Sequence, residues 1–290
     1  MSKKQTRREF LQTAGIAAAV SLVSAGGCSE HKKLLAGKES DSHKLTNKEQ
    51  LKLGLASYTL RQFKLDQTLS MTQRVGLKYI CLKSMHLPLE SSADQIHEAA
   101  AKVKEAGLQL YGAGVIYMND ETEVNRTFEY ASLAGITTIV GAPKPQLLAL
   151  VNEKVQQYDI KVAIHNHGPE DKVYPTPASA YEKIKELDKR IGLCIDIGHT
   201  LRAGEDPSVS AERFADRLLD IHVKDISEAK PEGFPVEVGR GVIDIPKFVE
   251  TLLRIRYSGI VSFEYEKDAD DPLPGLAESV GYLRGVLAAI

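Results

Sequence analysis

The 290-residue chain has no tryptophan and only three cysteines, Cys28, Cys81 and Cys194. Two of these thiols lie inside apolar runs and read as small buried hydrophobes, so no disulfide framework is implied. Neither sign of charge dominates, with 37 Lys+Arg against 39 Asp+Glu. Once residues 1–27 are set aside, 33 basic residues face 38 acidic ones, and no basic excess remains to neutralise phosphates. That balance argues against a nucleic-acid partner. No glycine-rich dinucleotide fingerprint follows the first strand candidate, Leu53–Ala56, which speaks against an open doubly wound sheet. The apolar stretch from Ala14 to Ala25 is too short and too rich in small residues to span a bilayer.

That stretch belongs to an N-terminal leader. Thr6-Arg7-Arg8-Glu9-Phe10-Leu11-Gln12 resembles a twin-arginine export motif, and Ala25-Gly26-Gly27-Cys28 resembles a lipoprotein cleavage box with Ala25 in place of the usual Leu. The expectation is a signal over residues 1–27, lipidation at Cys28, and a periplasmic or membrane-anchored protein that touches the membrane only through its lipid. Residues 28–50 are polar without apolar periodicity and read as a flexible tether. Residues 51–290 are long enough for one large domain.

Four apolar runs in the second half each end in polar residues able to bind metal or move protons. Val162-Ala163-Ile164 leads into His165-Asn166-His167, and Gly192-Leu193-Cys194-Ile195 leads into Asp196-Ile197-Gly198-His199. Leu218-Leu219-Asp220-Ile221 leads into His222-Val223-Lys224-Asp225, and Gly259-Ile260-Val261-Ser262-Phe263 leads into Glu264-Tyr265-Glu266. Continuous apolar runs of this length suit strands buried on both faces of a parallel sheet. Four earlier candidates, Leu53–Ala56, Lys78–Leu82, Leu108–Ala113 and Thr137–Val140, bring the number to eight.

Helical periodicity is expected over Asp94–Glu105, Glu121–Leu133, Pro145–Tyr158, Pro177–Leu187, Ala211–Leu218, Ile245–Ile255 and Leu276–Leu287. Eight strands alternating with helices close most naturally into a (β/α)8 TIM barrel, in which the strand C-termini carry the active site. The polar clusters then converge, and a divalent metal is the simplest way to satisfy so many buried polar groups. Asp196 and His199 are spaced so that one can ligate a metal while the other meets substrate. Glu264 follows an apolar strand, where a carboxylate is costly unless paired or metal-bound. Glu266 shares its side parity and lies further out. Lys83 and His86 follow the second strand, where a lysine can polarise a carbonyl. Tyr58 and Tyr117 are rim residues without an assigned role.

Asp196-x-x-His199, His222-x-Lys224-Asp225, the Gly239-Arg240-Gly241 loop and Glu264 in a Ser-Phe-Glu strand, in this order, resemble the xylose isomerase-like barrels, most closely those called sugar phosphate isomerases/epimerases. The resemblance covers about Leu51 to Ile290. It implies one divalent ion, manganese first and Mg2+, Co2+ or Zn2+ otherwise, held by Asp196, His222 and Glu264. It also implies substrate contacts from His199, Lys224, Arg240 and His86. Where the epimerases carry a glutamate on strand five this chain has His165, which stands as the fourth ligand, with His167 as substrate ligand or base. His165, His167, Glu264 and Lys83 are the candidate catalytic residues.

The resulting expectation is a sugar isomerase or epimerase that moves a proton next to a carbonyl through a metal-stabilised enediolate. The alternative is a lyase or hydratase acting by β-elimination on keto-sugars such as 3-keto-glycosides, favoured by the change at His165 and by the extracytoplasmic address. A sugar-binding lipoprotein without catalysis is the third reading, and an endonuclease IV-like activity is disfavoured by charge and by too few histidines. The expected partner is a small carbohydrate, with a homo-oligomer possible.

Overall fold

A computed structural model describes residues 51–290. The leader over residues 1–27, Cys28 and the whole tether therefore lie outside the described residues. Within them, eight parallel strands form a closed barrel. These are β1 (Lys52–Ala56), β2 (Tyr79–Leu82), β3 (Gln109–Met118), β4 (Thr138–Pro143), β5 (Lys161–His165), β6 (Ile191–Asp196), β7 (Leu218–Val223) and β8 (Ile260–Phe263). Each strand pairs with its sequence neighbours, and β8 closes onto β1 with Leu53 opposite Val261 and Leu55 opposite Phe263. The barrel expected from the strand–helix alternation is thus present. Its strands read as apolar runs because both faces are covered.

The helices are α1 (Leu65–Arg74), α2 (Ala93–Glu105), α3 (Glu121–Leu133), α4 (Leu148–Tyr158), α5 (Pro177–Ile184), α6 (Ile197–Arg202), α7 (Pro207–Arg213), α8 (Ile245–Arg254) and α9 (Leu273–Ala289). Their starts are set locally. Ser92 accepts from Gln95 N while the Gln95 side chain accepts from Ser92 N, and Asp120, Thr176 and Asp244 accept from backbone amides three residues on. Apolar faces such as Leu69, Ile96, Val103, Phe128, Val151, Phe248 and Leu252 pack with the outward-facing strand residues in the main core.

Several boundaries differ from expectation. The helix expected over Ala211–Leu218 instead begins at Pro207, because Asp206 accepts from Ser208 N and Val209 N and proline fits the first turn. A 3-10 turn, Ala215–Arg217, then leads into β7. Strand β3 runs five residues beyond its expected end at Ala113, to Met118. A short antiparallel pair, Asp225–Ile226 with Pro235–Val236, follows β7.

Inside the barrel lies a second, smaller cluster that includes Cys81, Tyr111, Val140, Ala163 and Cys194. Inward-facing residues two apart on a strand fall into successive layers. Cys194 is thus one layer below Asp196, Asp220 below His222, and Ser262 below Glu264.

Candidate metal centre

At the C-terminal ends of β5 to β8, ligand atoms of His165, Asp196, His222 and Glu264 all lie within 4.8 Å of one another. His165 Nε2 is 3.1 Å from His222 Nδ1, 3.7 Å from Asp196 Oδ2 and 3.9 Å from Glu264 Oε2, and His222 Nδ1 is 3.1 Å from Glu264 Oε2. Ligands held about 2.1 Å from a tetrahedral ion would be about 3.4 Å apart, close to this spacing. All four side chains are buried, Asp196 Oδ2 is met by the Lys224 ammonium, and the far-side nitrogens His165 Nδ1 and His222 Nε2 have no hydrogen-bond partner. Two imidazole nitrogens and two carboxylate oxygens brought this close in a buried site are costly without a cation among them, and the mixed nitrogen and oxygen set suits one. The residues fit a divalent ion.

Local structure aims each group. Asp196 ends β6 and caps α6: Oδ1 accepts from His199 N at 2.8 Å, which leaves Oδ2 for the centre. Asn166 braces it by accepting from Asp196 N and donating to Thr200 Oγ1. Lys224 is buried beside the carboxylates, its Nζ 3.1 Å from Asp196 Oδ2, 3.2 Å from Glu264 Oε2 and 2.6 Å from Glu266 Oε1. Gly198 makes room for its stem, since a Cβ there would meet Lys224 Cγ at 2.9 Å.

The electrostatics follow from burial and from this cation. Burial drives the His165 imidazole well below its usual pKa. Burial opposes charge on His222 too, yet Glu264 beside it, with Asp220 and Asp196, raises its pKa. Burial opposes ionisation of Asp196 and Glu264, but Lys224 and the neighbouring imidazoles hold both below the carboxylate range. Lys224 is held protonated against burial by Asp196, Glu264 and Glu266. Burial pushes Glu266 up, against the pull of Lys224.

Around the centre stand further groups. His199 faces Lys224 Nζ at 3.4 Å through Nε2 and receives Arg202 at Nδ1, and burial lowers its pKa to about 4. His167 lies against His165, with ring centroids 4.5 Å apart. Its Nε2 is 3.0 Å from the Tyr117 hydroxyl and its Nδ1 is 3.3 Å from Asp171 Oδ2. Asp171 is fixed by accepting from the amides of Val173 and Tyr174. Lys83 Nζ lies over the Tyr58 ring, 5.2 Å from its centroid, and its charge helps keep His167 neutral after burial.

Two candidate substrate contacts are placed otherwise. His86 is buried with Nδ1 on Ser57 Oγ and Nε2 on Thr68 Oγ1 and the carbonyls of Leu60 and Phe63. Both ring nitrogens are spent holding the β1 and β2 loops together, so His86 is a structural residue. Arg240 is exposed and pairs through Nε and Nη2 with Glu278 of α9. The loop that carries it is shaped from beneath by buried Asp225, which accepts from the amides of Gly239, Gly241 and Ile243. A Cβ at Gly241 would lie 2.2 Å from Asp225 Oδ1, which explains the glycine.

Residues 145–286 match the family described as xylose isomerase-like TIM barrel. The match covers β5 to β8 and all four residues of the cluster. The chain is also 26% identical over 159 residues to an inosose dehydratase of Mesomycoplasma hyopneumoniae, covering 46% of this chain and 50% of the relative. This chain spans about half the length of the curated relatives it matches. Among solved structures, the IolI protein with a bound zinc atom superposes with a TM-score of 0.70 at 18% identity, over 82% of this chain and 99% of that one. The 3-keto-D-glucoside 4-epimerase of E. coli gives 0.68 at 18% identity, over 81% and 100%. These two likenesses establish the shared fold, a closed (β/α)8 barrel.

Within this barrel, four contributors escape sequence reasoning: Asn166, Asp171, Tyr117 as a partner of His167, and Asp220 below His222. Only Asp220 carried a visible signal, a carboxylate inside an apolar strand.

Proposed function

We propose that the chain is a divalent-metal-dependent carbohydrate enzyme that removes the proton beside a carbonyl and then expels a β-oxygen substituent, the chemistry of a dehydratase or lyase. The observation that carries this reading is the Tyr117–His167–Asp171 chain flanking the four-residue cluster, on the side where an epimerase would carry a second glutamate. A divalent ion held by His165, Asp196, His222 and Glu264 would act as the Lewis acid for the substrate's carbonyl and adjacent hydroxyl oxygens. Two imidazoles in the shell suit zinc and the later first-row metals as well as manganese, and suit magnesium least.

The remaining work falls to side chains. Burial keeps His167 neutral and able to accept the carbon-bound proton, with the Asp171 carboxylate 3.3 Å from its Nδ1 to offset the charge it gains. The C–H electrons become the new C=C bond of an enediolate, and Lys224 and His199 lie close enough to offset charge at the oxygens. As the carbonyl re-forms, the double bond shifts to the α–β carbons and the C–O electrons leave with the β-oxygen; the Tyr117 phenol, beside His167, is placed to hand that oxygen a proton, so that it departs as water or as the alcohol of a glycoside. The chain's similarity to an inosose dehydratase supports this order of events.

Epimerisation or isomerisation is the second reading, and Glu266 favours it. Burial keeps that carboxyl toward its neutral form, and it follows β8, three strands around the barrel from His167. Returning a proton from the opposite face needs such a donor.

The test is incubation of zinc- and manganese-loaded protein in D2O with an inosose, a 3-keto-glucoside and a panel of free ketoses, followed by mass spectrometry. Elimination gives a product lighter by one water, or by the aglycone alcohol for the glucoside, whereas epimerisation gives a product with one deuterium and no loss. A panel that neither exchanges nor changes would contradict both readings.

A further inference from the structure

We propose that Asp220, sealed in the barrel interior one layer below the metal cluster, is a positioning residue that orients His222 so that Nδ1 faces the ion. The inference rests on the metal reading above and extends it to a residue that would touch neither metal nor substrate. Asp220 and His222 are two apart on β7, so both side chains point inward. Both are fully buried.

The interior of such a barrel is ordinarily filled by branched aliphatic side chains. Here the layer holds a carboxylate, a phenol, a hydroxyl and a thiol. Tyr111 reaches across from β3 and places its hydroxyl 3.3 and 3.2 Å from Asp220 Oδ1 and Oδ2 and 2.5 Å from Ser262 Oγ. Cys194 Sγ lies 3.8 Å from Oδ2. A carboxylate with so few donors is costly at this depth, and the packing of the barrel does not require one.

The atom that gives it a use is His222 Nε2. It is buried without a hydrogen-bond partner, and Asp220 Oδ2 lies 3.8 Å away. The other nitrogen, Nδ1, sits 3.1 Å from both His165 Nε2 and Glu264 Oε2, inside the ligand cluster. An imidazole that gives one nitrogen to a metal carries its proton on the other, and a carboxylate that accepts that proton fixes both tautomer and ring plane. Asp220 Oδ2 is the carboxylate oxygen 3.8 Å from Nε2, and the Tyr111 hydroxyl, itself held by Ser262 Oγ, contacts both carboxylate oxygens and so limits their rotation.

The experiment uses the full chain, stripped with chelator and reloaded with zinc. Zinc affinity is measured by competition with a chromophoric chelator, and the His222 tautomer by two-bond 1H–15N correlation in the zinc-loaded protein. Wild type is expected to show the Nε2–H tautomer, and Asp220→Asn to bind zinc about 10- to 100-fold more weakly. Wild-type affinity in Asp220→Asn, or a zinc-loaded His222 protonated at Nδ1, would overturn the proposal. Should Asp220→Asn fail to fold, Tyr111→Phe keeps the carboxylate and carries the test, with a shifted Nε2–H resonance and weaker zinc binding expected. No change in either quantity would overturn it. Wild type that takes up no zinc would instead refute the metal centre, and this inference with it.

Discussion

His165 sets this centre apart from a site built on two glutamates. Its ring reaches all three other ligand groups, and burial, with His222 and His167 beside it, keeps it neutral and ready to coordinate. Because imidazole and carboxylate both suit a mixed nitrogen and oxygen shell, His165→Glu should still bind one equivalent of metal by elemental analysis. Turnover should change by at least about tenfold, roughly 1.4 kcal/mol in barrier, because the new group differs in basicity beside His167. Metal uptake should also depend on pH. Burial opposes the charged form of His222, but the surrounding carboxylates raise its pKa above the ordinary 6.5 in the metal-free site. A bound ion must displace that proton, so apparent affinity, followed by isothermal titration, should be flat at high pH. It should weaken as pH falls through that raised value, by up to about tenfold per unit. An affinity unchanged between pH 8 and pH 5.5 would be evidence against His222 as a ligand. Side chains at strand ends were legible in the sequence because strand order forces them together. His86 and Arg240 were misread because their partners, Ser57, Thr68 and Glu278, come from distant segments. Tyr117 and His167, fifty residues apart, meet only once the barrel closes.

The elements that deliver these residues depend on a few buried anchors. Arg217, just before β7, is buried and donates to the carbonyls of Lys185, Leu187, Asp188 and Ile191, tying the α5–β6 connection to the start of the strand that carries His222. Replacing it leaves several carbonyls unpaired, each worth about 1–3 kcal/mol. Arg217→Met should therefore destabilise the fold by about 3 kcal/mol or more, measured by urea denaturation, and a loss under about 1 kcal/mol would contradict this role. The strands were readable because continuous apolar runs bounded by turn signals have few other interpretations. Helix α1 was not, because Leu65-Asp66-Gln67-Thr68-Leu69-Ser70-Met71-Thr72-Gln73-Arg74 buries two threonines and a leucine and presents little apolar periodicity. Helix α6 is six residues long and starts at the strand end, where Asp196 serves both as cap and as site residue. The reach of β3 to Met118 was hidden by the glycines in Tyr111-Gly112-Ala113-Gly114, where its register with β4 shifts.

At the scale of the whole molecule, the barrel is a device for bringing four consecutive strand ends to one point, with a polar layer beneath and a rim of histidines, lysines and tyrosines above. The sequence similarity is concentrated in residues 145–286, the same stretch that supplies the four-residue cluster, while the first four strands close the wall and contribute Lys83 and Tyr117. The claim on which the rest depends is that this point holds one divalent ion. Calorimetric titration of zinc and of manganese into chelator-stripped wild type, Asp196→Ala and Glu264→Gln tests it most directly. The account predicts one ion per chain for wild type and binding weakened by at least about 100-fold, nearly 3 kcal/mol, in both variants. Equal stoichiometry and affinity in all three proteins, or no binding by wild type, would contradict it.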